Sequence, residues 1–189
     1  MKIGIAQINT TVGDLTGNFD ILRCAYDELS SDGADLVIFP ELALSGYPPR
    51  YLLLKKRFGE DCAEKLNQFA KLTDACPALL GFPEKIDLKQ GRSYYNSAAL
   101  CFEGEVKQVF RKRLLPTYDV FDEDRYFESG TSPLYFSLSG KKIAVSICED
   151  IWNSNGTRHS ENPVNEIAGE KLDLLINLSA SPWHIDKKT

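Results

Sequence analysis

The sequence predicts an α/β fold (α+β layered) in which mixed β-sheets pack against helices. Three observations support it: short apolar runs alternate with helical patterns, a hairpin pattern lies in the middle of the chain, and a strand, helix, strand order follows it. With 43% hydrophobic and 26% charged residues among 189, the composition is that of one soluble globular domain with a normal core.

The first third of the chain predicts two strands with a helix between them. Residues 1–8 have the apolar character of a first strand, and 35–39 form a buried strand. Asn18 is the predicted N-cap of the helix, and Gly33 is placed to end it. The apolar face of this helix is formed by Ile21, Leu22, Ala25, Tyr26 and Leu29.

The middle of the chain predicts a second helix followed by three strands. Residues 78–82 form the first of these strands, and residues 97–102 and 106–110 flank Gly104 as a hairpin, which makes the sheet mixed. The apolar positions of the second helix, spaced four, three and three apart, are Cys62, Leu66, Phe69 and Leu72.

The last third predicts a strand, crossover helix and strand. Residues 143–147 form the first strand, Asn162 and Pro163 open a helix that runs through Leu172, and 174–176 form the second strand.

Charge and cysteine usage exclude several classes of protein. A net charge of -5 without a basic stripe argues against a nucleic-acid partner. No apolar stretch reaches the 18 residues of a membrane span, and no glycine-rich phosphate-binding motif occurs. Five cysteines without a CxxC pair predict neither a disulfide framework nor a zinc site and favour the cytoplasm. Cys24, Cys76 and Cys101 are interpreted as packing residues. With only two histidines, no metal is assigned.

Two apolar runs stop at a reactive polar residue. Glu41 follows 37–40, and Cys148 follows 143–147. Sheet enzymes place functional groups at strand ends, so the two side chains are expected to face each other if their strands are neighbours. Because the thiolate is the nucleophile, a carboxylate that removes the thiol proton would activate Cys148.

Attack of a thiolate on an amide produces an oxyanion, which requires a cation or N–H donors. Arg111, Lys112 and Arg113 follow the strand pattern that ends at Phe110, and composition does not choose among them. Each residue also has an ordinary interpretation: an inert core cysteine, a solvated lysine, or a glutamate that starts a helix.

The motifs around these residues decide between the two interpretations. Residues 38–47 resemble the glutamate motif of the nitrilase superfamily of carbon–nitrogen hydrolases, 111–116 resemble its lysine motif, and 146–152 resemble its nucleophile motif. The resemblance implies a nitrilase-like α-β-β-α sandwich. It also selects Lys112 as oxyanion stabiliser, with Cys148 as nucleophile and Glu41 as base.

Two further segments, 115–127 and 177–183, resemble the glutaminase domain of glutamine-dependent NAD synthetases. The resemblance implies a substrate site for L-glutamine in which Tyr118, Ser181 and Lys187 contact the substrate and Glu123 orients the lysine. It further implies that the ammonia serves ATP-dependent amidation of nicotinic acid adenine dinucleotide to NAD. No cofactor is expected in this chain, since ATP and Mg would belong to the synthetase domain.

By the same resemblance, residues 1–189 are expected to be the N-terminal part of the amidohydrolase domain. The remaining strands and the synthetase domain of the same polypeptide would follow. Homo-oligomerisation through nitrilase-like domains is expected, and the chain is expected to be inactive if its packing is incomplete. Two alternatives stay open: a stand-alone amidase or carbamoylase acting on another small amide, and a non-catalytic scaffold in which Cys148 is merely buried.

Overall fold

A computed structural model describes residues 1–86, 91–133, 135–152 and 162–181, which form two β-sheets and three α-helices. The helices are α1 (Leu15–Ser31), α2 (Phe58–Ala70) and α3 (Pro163–Ala168). The strands of the first sheet are β1 (Ile3–Ile5), β2 (Leu36–Ile38), β3 (Ala78–Lys85), β4 (Tyr94–Phe102), β5 (Glu105–Arg111) and β6 (Phe127–Glu128). Those of the second sheet are β7 (Tyr135–Leu138), β8 (Lys141–Ile147) and β9 (Leu174–Leu178).

The first sheet is mixed, as the sequence predicts. Its order is β1-β2-β3-β4-β5, with β6 added beside β4. The first three strands are parallel, whereas β4 runs antiparallel to both of its neighbours, β3 and β5. The predicted hairpin is thus confirmed as β4 and β5, with Gly104 at positive φ (80°) in its turn.

Each face of the first sheet has its own apolar partner, because successive strand residues point to opposite faces. Val37 and Phe39 belong to the core shared with α1 and α2, where the rings of Phe39 and Phe69 meet edge to face at 5.4 Å. Leu36 belongs to the other core, which the second sheet covers, and there the ring of Phe110 lies 6.4 Å from that of Phe136. The two sheets therefore pack face to face.

Two details of α1 differ from the prediction. Asp14, not Asn18, is the N-cap and accepts the backbone N–H of Gly17. Asn18 lies inside the helix, fully buried, and its amide bonds both backbone groups of Thr11 and the carbonyl of Leu44. Its polar side chain thus holds two loops rather than the helix end. Cys24 is exposed and is not a packing residue.

The second sheet contains the predicted crossover unit. Strands β8 and β9 are parallel, and α3 connects them. Asn162 caps α3 by accepting the backbone N–H of Asn165 at 3.2 Å. The helix ends at Ala168 instead of running through Leu172. In the described ranges, no helix is long and apolar enough to cross a membrane.

At Gly81, strand β3 passes very close to the turn that carries Glu41. A Cβ at this position would lie 2.4 Å from the carbonyl oxygen of Pro40 and 2.5 Å from the backbone nitrogen of Leu42. Backbone atoms at that distance must move, so Gly81→Ala should lower the free energy of unfolding by about 2 kcal/mol or more in urea titrations.

Gly169→Ala is the matched control, since its Cβ would meet nothing closer than 3.9 Å and its φ is -72°. We expect that substitution to change the free energy of unfolding by less than about 0.5 kcal/mol. Equal effects of the two substitutions would contradict the close approach at Gly81.

Candidate active site

The three predicted catalytic residues lie just past strand ends, but on two different sheets. Glu41 follows β2 and Lys112 follows β5 of the first sheet, whereas Cys148 follows β8 of the second. The strands that precede Glu41 and Cys148, β2 and β8, are therefore not paired neighbours in one sheet, which was the condition under which the two side chains were expected to face each other. Face-to-face packing of the sheets brings their ends together instead, and the backbone N–H of Ala180, beyond β9, reaches Glu41 Oε2 at 3.0 Å.

Lys112 is buried between two carboxylates. Its Nζ lies 2.7 Å from Glu41 Oε1 and 2.8 and 2.9 Å from the two oxygens of Glu123. Lys112 has 0% exposure, Glu41 2% and Glu123 4%, so water does not screen these contacts. The site therefore contains an ammonium fixed in place by opposite charges.

Opposing effects set the protonation of this cluster. Burial lowers the pKa of Lys112, but the charges of Glu41 and Glu123 raise it by more, so the lysine stays an ammonium. Burial raises the pKa of Glu123, the like charge of Glu41 adds to the rise, and Lys112 opposes it. Burial is therefore the main reason that the pKa of Glu123 lies above its usual value.

Two further side chains complete the cluster, and sequence reasoning did not single them out. Asn96 Nδ2 donates to Glu41 Oε1 at 2.8 Å, and the hydroxyl of Tyr47 donates to Glu123 Oε1 at 2.9 Å. A signal for Asn96 exists in the sequence: it is a polar residue, poorly suited to strands, in an otherwise strand-like run. Tyr47 lies at the end of the glutamate motif but carries no distinguishing pattern.

The cysteine occupies a sharp turn between β8 and a short 3₁₀ helix (Cys148–Ile151). Its φ is 44°, a left-handed conformation that is uncommon outside glycine and asparagine and clusters at functional sites. Burial, together with the charge of Glu41, raises the pKa of the thiol to about 11, although Lys112 opposes the rise. The resting cysteine is consequently a thiol, and its use as a nucleophile requires a base.

Four residues are predicted around the substrate, and one of them, Glu123, contacts Lys112. Ser181 Oγ lies 3.8 Å from Cys148 Sγ. Tyr118, 36% exposed, donates its hydroxyl to Glu149 Oε2 at 2.8 Å, and Glu149 itself is only 2% exposed. In the sequence, Glu149 is recognisable only as a member of the nucleophile motif, and its burial is visible only in the structure. Lys187 lies outside the described residues.

The geometry also distinguishes the three basic residues that composition left open. The guanidinium of Arg111 bonds both carboxylate oxygens of Glu84, and that of Arg113 bonds both oxygens of Glu166. Lys112, by contrast, contacts Glu41. In the described part of the chain, no group of three His, Cys, Asp or Glu side chains is arranged to hold a metal ion.

Comparison with known proteins identifies the fold family. A family model described as carbon-nitrogen hydrolase matches residues 2–183. The glutamine-dependent NAD(+) synthetase of Synechocystis sp. is 42% identical over 98% of this chain, and that of Aquifex aeolicus is 37% identical over 99%. The chain spans about a third of these relatives, 35% and 31% of their lengths.

Solved structures agree with this result. The glutamine-dependent NAD+ synthetase from Acinetobacter baumannii, determined with ADP, superposes with a TM-score of 0.87 at 33% identity, over 97% of this chain and 33% of that one. An amidase from Nesterenkonia sp. superposes with a TM-score of 0.76 at 22% identity, over 95% and 64%. The predicted nitrilase-like sandwich is confirmed.

Lys112→Met removes the cation that Glu41 and Glu123 share in the described part of the chain. Breaking a buried ion pair by removing one partner costs about 3–5 kcal/mol, and we expect a loss of that size at pH 7. Loss of the ammonium removes the effect that opposes the raised pKa of Glu123, so this pKa would lie further above its unfolded value. The destabilisation is therefore absent below the unfolded pKa of Glu123 and grows as pH rises through its folded pKa.

Urea unfolding at pH 4 and pH 7 measures this difference, with Glu123→Gln as the control that leaves one ion pair intact. We expect the control to lose less than Lys112→Met at pH 7. The account is contradicted if Lys112→Met loses the same free energy at both pH values.

Proposed function

Because the chain belongs to the carbon-nitrogen hydrolase family, we propose that it hydrolyses the side-chain amide of glutamine through a thioester on Cys148. The observation that carries the proposal is the buried contact of 2.7 Å between Lys112 Nζ and Glu41 Oε1. It places an acid–base group and a fixed cation together, beside a buried cysteine that is a thiol at rest.

In the first half of the reaction, Glu41 takes the proton of the Cys148 thiol as the sulfur attacks the amide carbon. The C=O bond becomes a single bond, and the ammonium of Lys112 stabilises the resulting oxyanion. When this intermediate collapses, its C–N bond breaks and the proton on Glu41 passes to the departing nitrogen. Ammonia leaves, and a glutamyl thioester remains on the sulfur.

In the second half, a water molecule attacks the thioester carbon while Glu41 takes one of its protons. Lys112 again faces the oxyanion. Collapse breaks the C–S bond, the proton returns to the sulfur, and glutamate leaves. The balance is glutamine and water to glutamate and ammonia, and the roles of Glu123, Asn96 and Tyr47 are to hold Glu41 and Lys112 in place through this cycle.

Charge and position support glutamine as the substrate. Glutamine carries a cationic amino group, and Glu149, a buried carboxylate next to Cys148, offers a charge of opposite sign. Tyr118 donates its hydroxyl to one oxygen of Glu149, and Ser181 Oγ lies 3.8 Å from Cys148 Sγ. We propose that Glu149 and Tyr118 receive the amino group and that Ser181 contacts the amide end. Lys187 remains a proposed substrate contact from the family resemblance alone.

The relatives with glutamine-dependent NAD(+) synthetase in their names suggest a use for the ammonia. We propose that it amidates nicotinic acid adenine dinucleotide in a synthetase domain of the same polypeptide, which would bind ATP and Mg. The proposed setting is the cytoplasm, where the five cysteines, all free in the structure, stay reduced. Association through nitrilase-like domains is part of the same proposal.

The activity is tested by ammonia release from glutamine in the unaltered protein and in Cys148→Ala, Lys112→Ala and Glu41→Gln. Because the three groups act in the same step, we expect each single change to lower kcat by at least about a thousandfold. Circular dichroism and thermal melting confirm that each variant is folded. Lys85→Ala, on the surface near Glu60, is the control for loss of a lysine and should leave kcat unchanged.

The same assay separates the alternatives. Turnover of a simple amide such as propionamide without turnover of glutamine would favour a stand-alone amidase. A folded protein that hydrolyses neither amide, and in which a glutamine-like chloroketone fails to alkylate Cys148, would favour the scaffold.

The proposed substrate site also predicts the effect of Glu149→Gln. A charge-assisted hydrogen bond is worth about 1.5–3 kcal/mol, so the change should raise KM for glutamine about 10- to 100-fold. Glutaramate, which is glutamine without the amino group, is the matched substrate, and its kcat/KM should change less than about threefold. Equal losses for both substrates would argue against amino-group recognition by Glu149.

A further inference from the structure

One carboxylate connects the segment after Lys112 to the turn of the nucleophile. Asp150 Oδ1 accepts the backbone N–H groups of Arg113 and Leu114 at 3.0 and 2.9 Å. Its other oxygen, Oδ2, accepts the backbone N–H of Ile147 at 3.0 Å. The two oxygens of one side chain thus bind the two residues that follow Lys112 and the residue that precedes Cys148.

This connection crosses between the two sheets. Lys112 extends from β5 of the first sheet, and its backbone is held there by hydrogen bonds of 2.8 Å to Asn96 and Gly130. Cys148 extends from β8 of the second sheet. The contact between the sheets is made by apolar side chains, and apolar packing has no preferred direction at the scale of a hydrogen bond.

Apolar packing alone would let the two sheets shift slightly relative to each other, and the proposed catalysis is sensitive to such shifts. A displacement of about 1 Å between reacting groups can lower a rate about a hundredfold. Asp150 is 3% exposed, so its three hydrogen bonds are not exchanged for water, and a carboxylate of fixed shape sets the spacing between the segments that it joins. A second polar link, from Ala180 N to Glu41, lies on the β9 side of the same interface.

We propose that Asp150 is a positioning residue, which fixes the turn of Cys148 against the Lys112 segment for the proposed amide hydrolysis. It does not touch the substrate, and it acts through the placement of Cys148 relative to Lys112 and Glu41. The inference rests on the proposed function for its kinetic readout, but the reactivity of Cys148 tests it independently.

Two substitutions remove part or all of the hydrogen bonds that Asp150 accepts. Asp150→Asn keeps one side-chain oxygen, which can still accept hydrogen bonds from one of the two segments. Its amide NH₂ group then faces a backbone N–H of the other segment, and two donors cannot form a hydrogen bond. Asp150→Ala leaves the backbone N–H groups of Arg113, Leu114 and Ile147 without this acceptor. We expect kcat for glutamine, per folded molecule, to fall about tenfold in the first and about a hundredfold in the second. KM should stay within about threefold, because the proposed binding groups are unchanged.

The second readout is the rate at which iodoacetamide alkylates Cys148, followed by mass spectrometry of its peptide. This reaction needs the thiol and its base but not glutamine, and we expect the same order: unaltered protein, Asp150→Asn, Asp150→Ala. Exposed Cys24 is the internal standard, and its rate should be equal in all three.

Asp173→Asn is the matched control. Asp173 also accepts a backbone N–H, from Lys142 at 2.9 Å, but at the opposite end of β8. It should change neither kcat nor alkylation of Cys148. The inference is overturned if folded Asp150→Asn retains kcat and the alkylation rate within twofold of the unaltered protein. If glutamine is not hydrolysed by the unaltered protein, the proposed function fails, whereas the alkylation series still decides on Asp150.

Discussion

The structure around the candidate site depends on one constraint: a lysine ammonium that has no access to water. A charge in that position is tolerated only when opposite charges and hydrogen bonds replace its hydration. Glu41 and Glu123 supply the charges around Lys112, while Asn96 and Tyr47 hold the carboxylates. Because every member depends on the others, the cluster also fixes the geometry that a base and an oxyanion stabiliser require.

The fold supplies these groups from separate elements. Glu41 and Lys112 come from strand ends of one sheet, and Cys148 from a strand end of the other. The apolar core between the sheets brings the strand ends together. Hydrogen bonds made by Asp150 and by the backbone of Ala180 then connect segments that follow strands of different sheets. Hydrophobic packing thus determines which elements meet, and buried hydrogen bonds determine how their functional groups are aligned.

Periodicity and turn residues were sufficient to predict the hairpin, the crossover unit and the mixed sheet, since these follow from local patterns. The choice of Lys112 over Arg111 and Arg113 needed the family motif, and the structure gives its physical counterpart: both arginines pair with other carboxylates. Contacts between distant segments were not predictable in this way. Asn18 resembles a helix cap, but its amide binds a loop 26 residues away, at Leu44. The pairing of strand ends across two sheets likewise depends on tertiary packing.

The central claim is that Cys148 carries the glutamyl group, and the most direct measurement is to trap it. The protein is mixed with glutamine, and the reaction is quenched in acid during turnover. Mass spectrometry of the peptide that contains Cys148 would then reveal the thioester. The account predicts a glutamyl adduct on Cys148 that decays once glutamine is exhausted. If the adduct accumulates during steady ammonia release, hydrolysis of the thioester is slower than its formation. Sustained ammonia release with no adduct on Cys148, and with equal release by Cys148→Ala, would contradict the account.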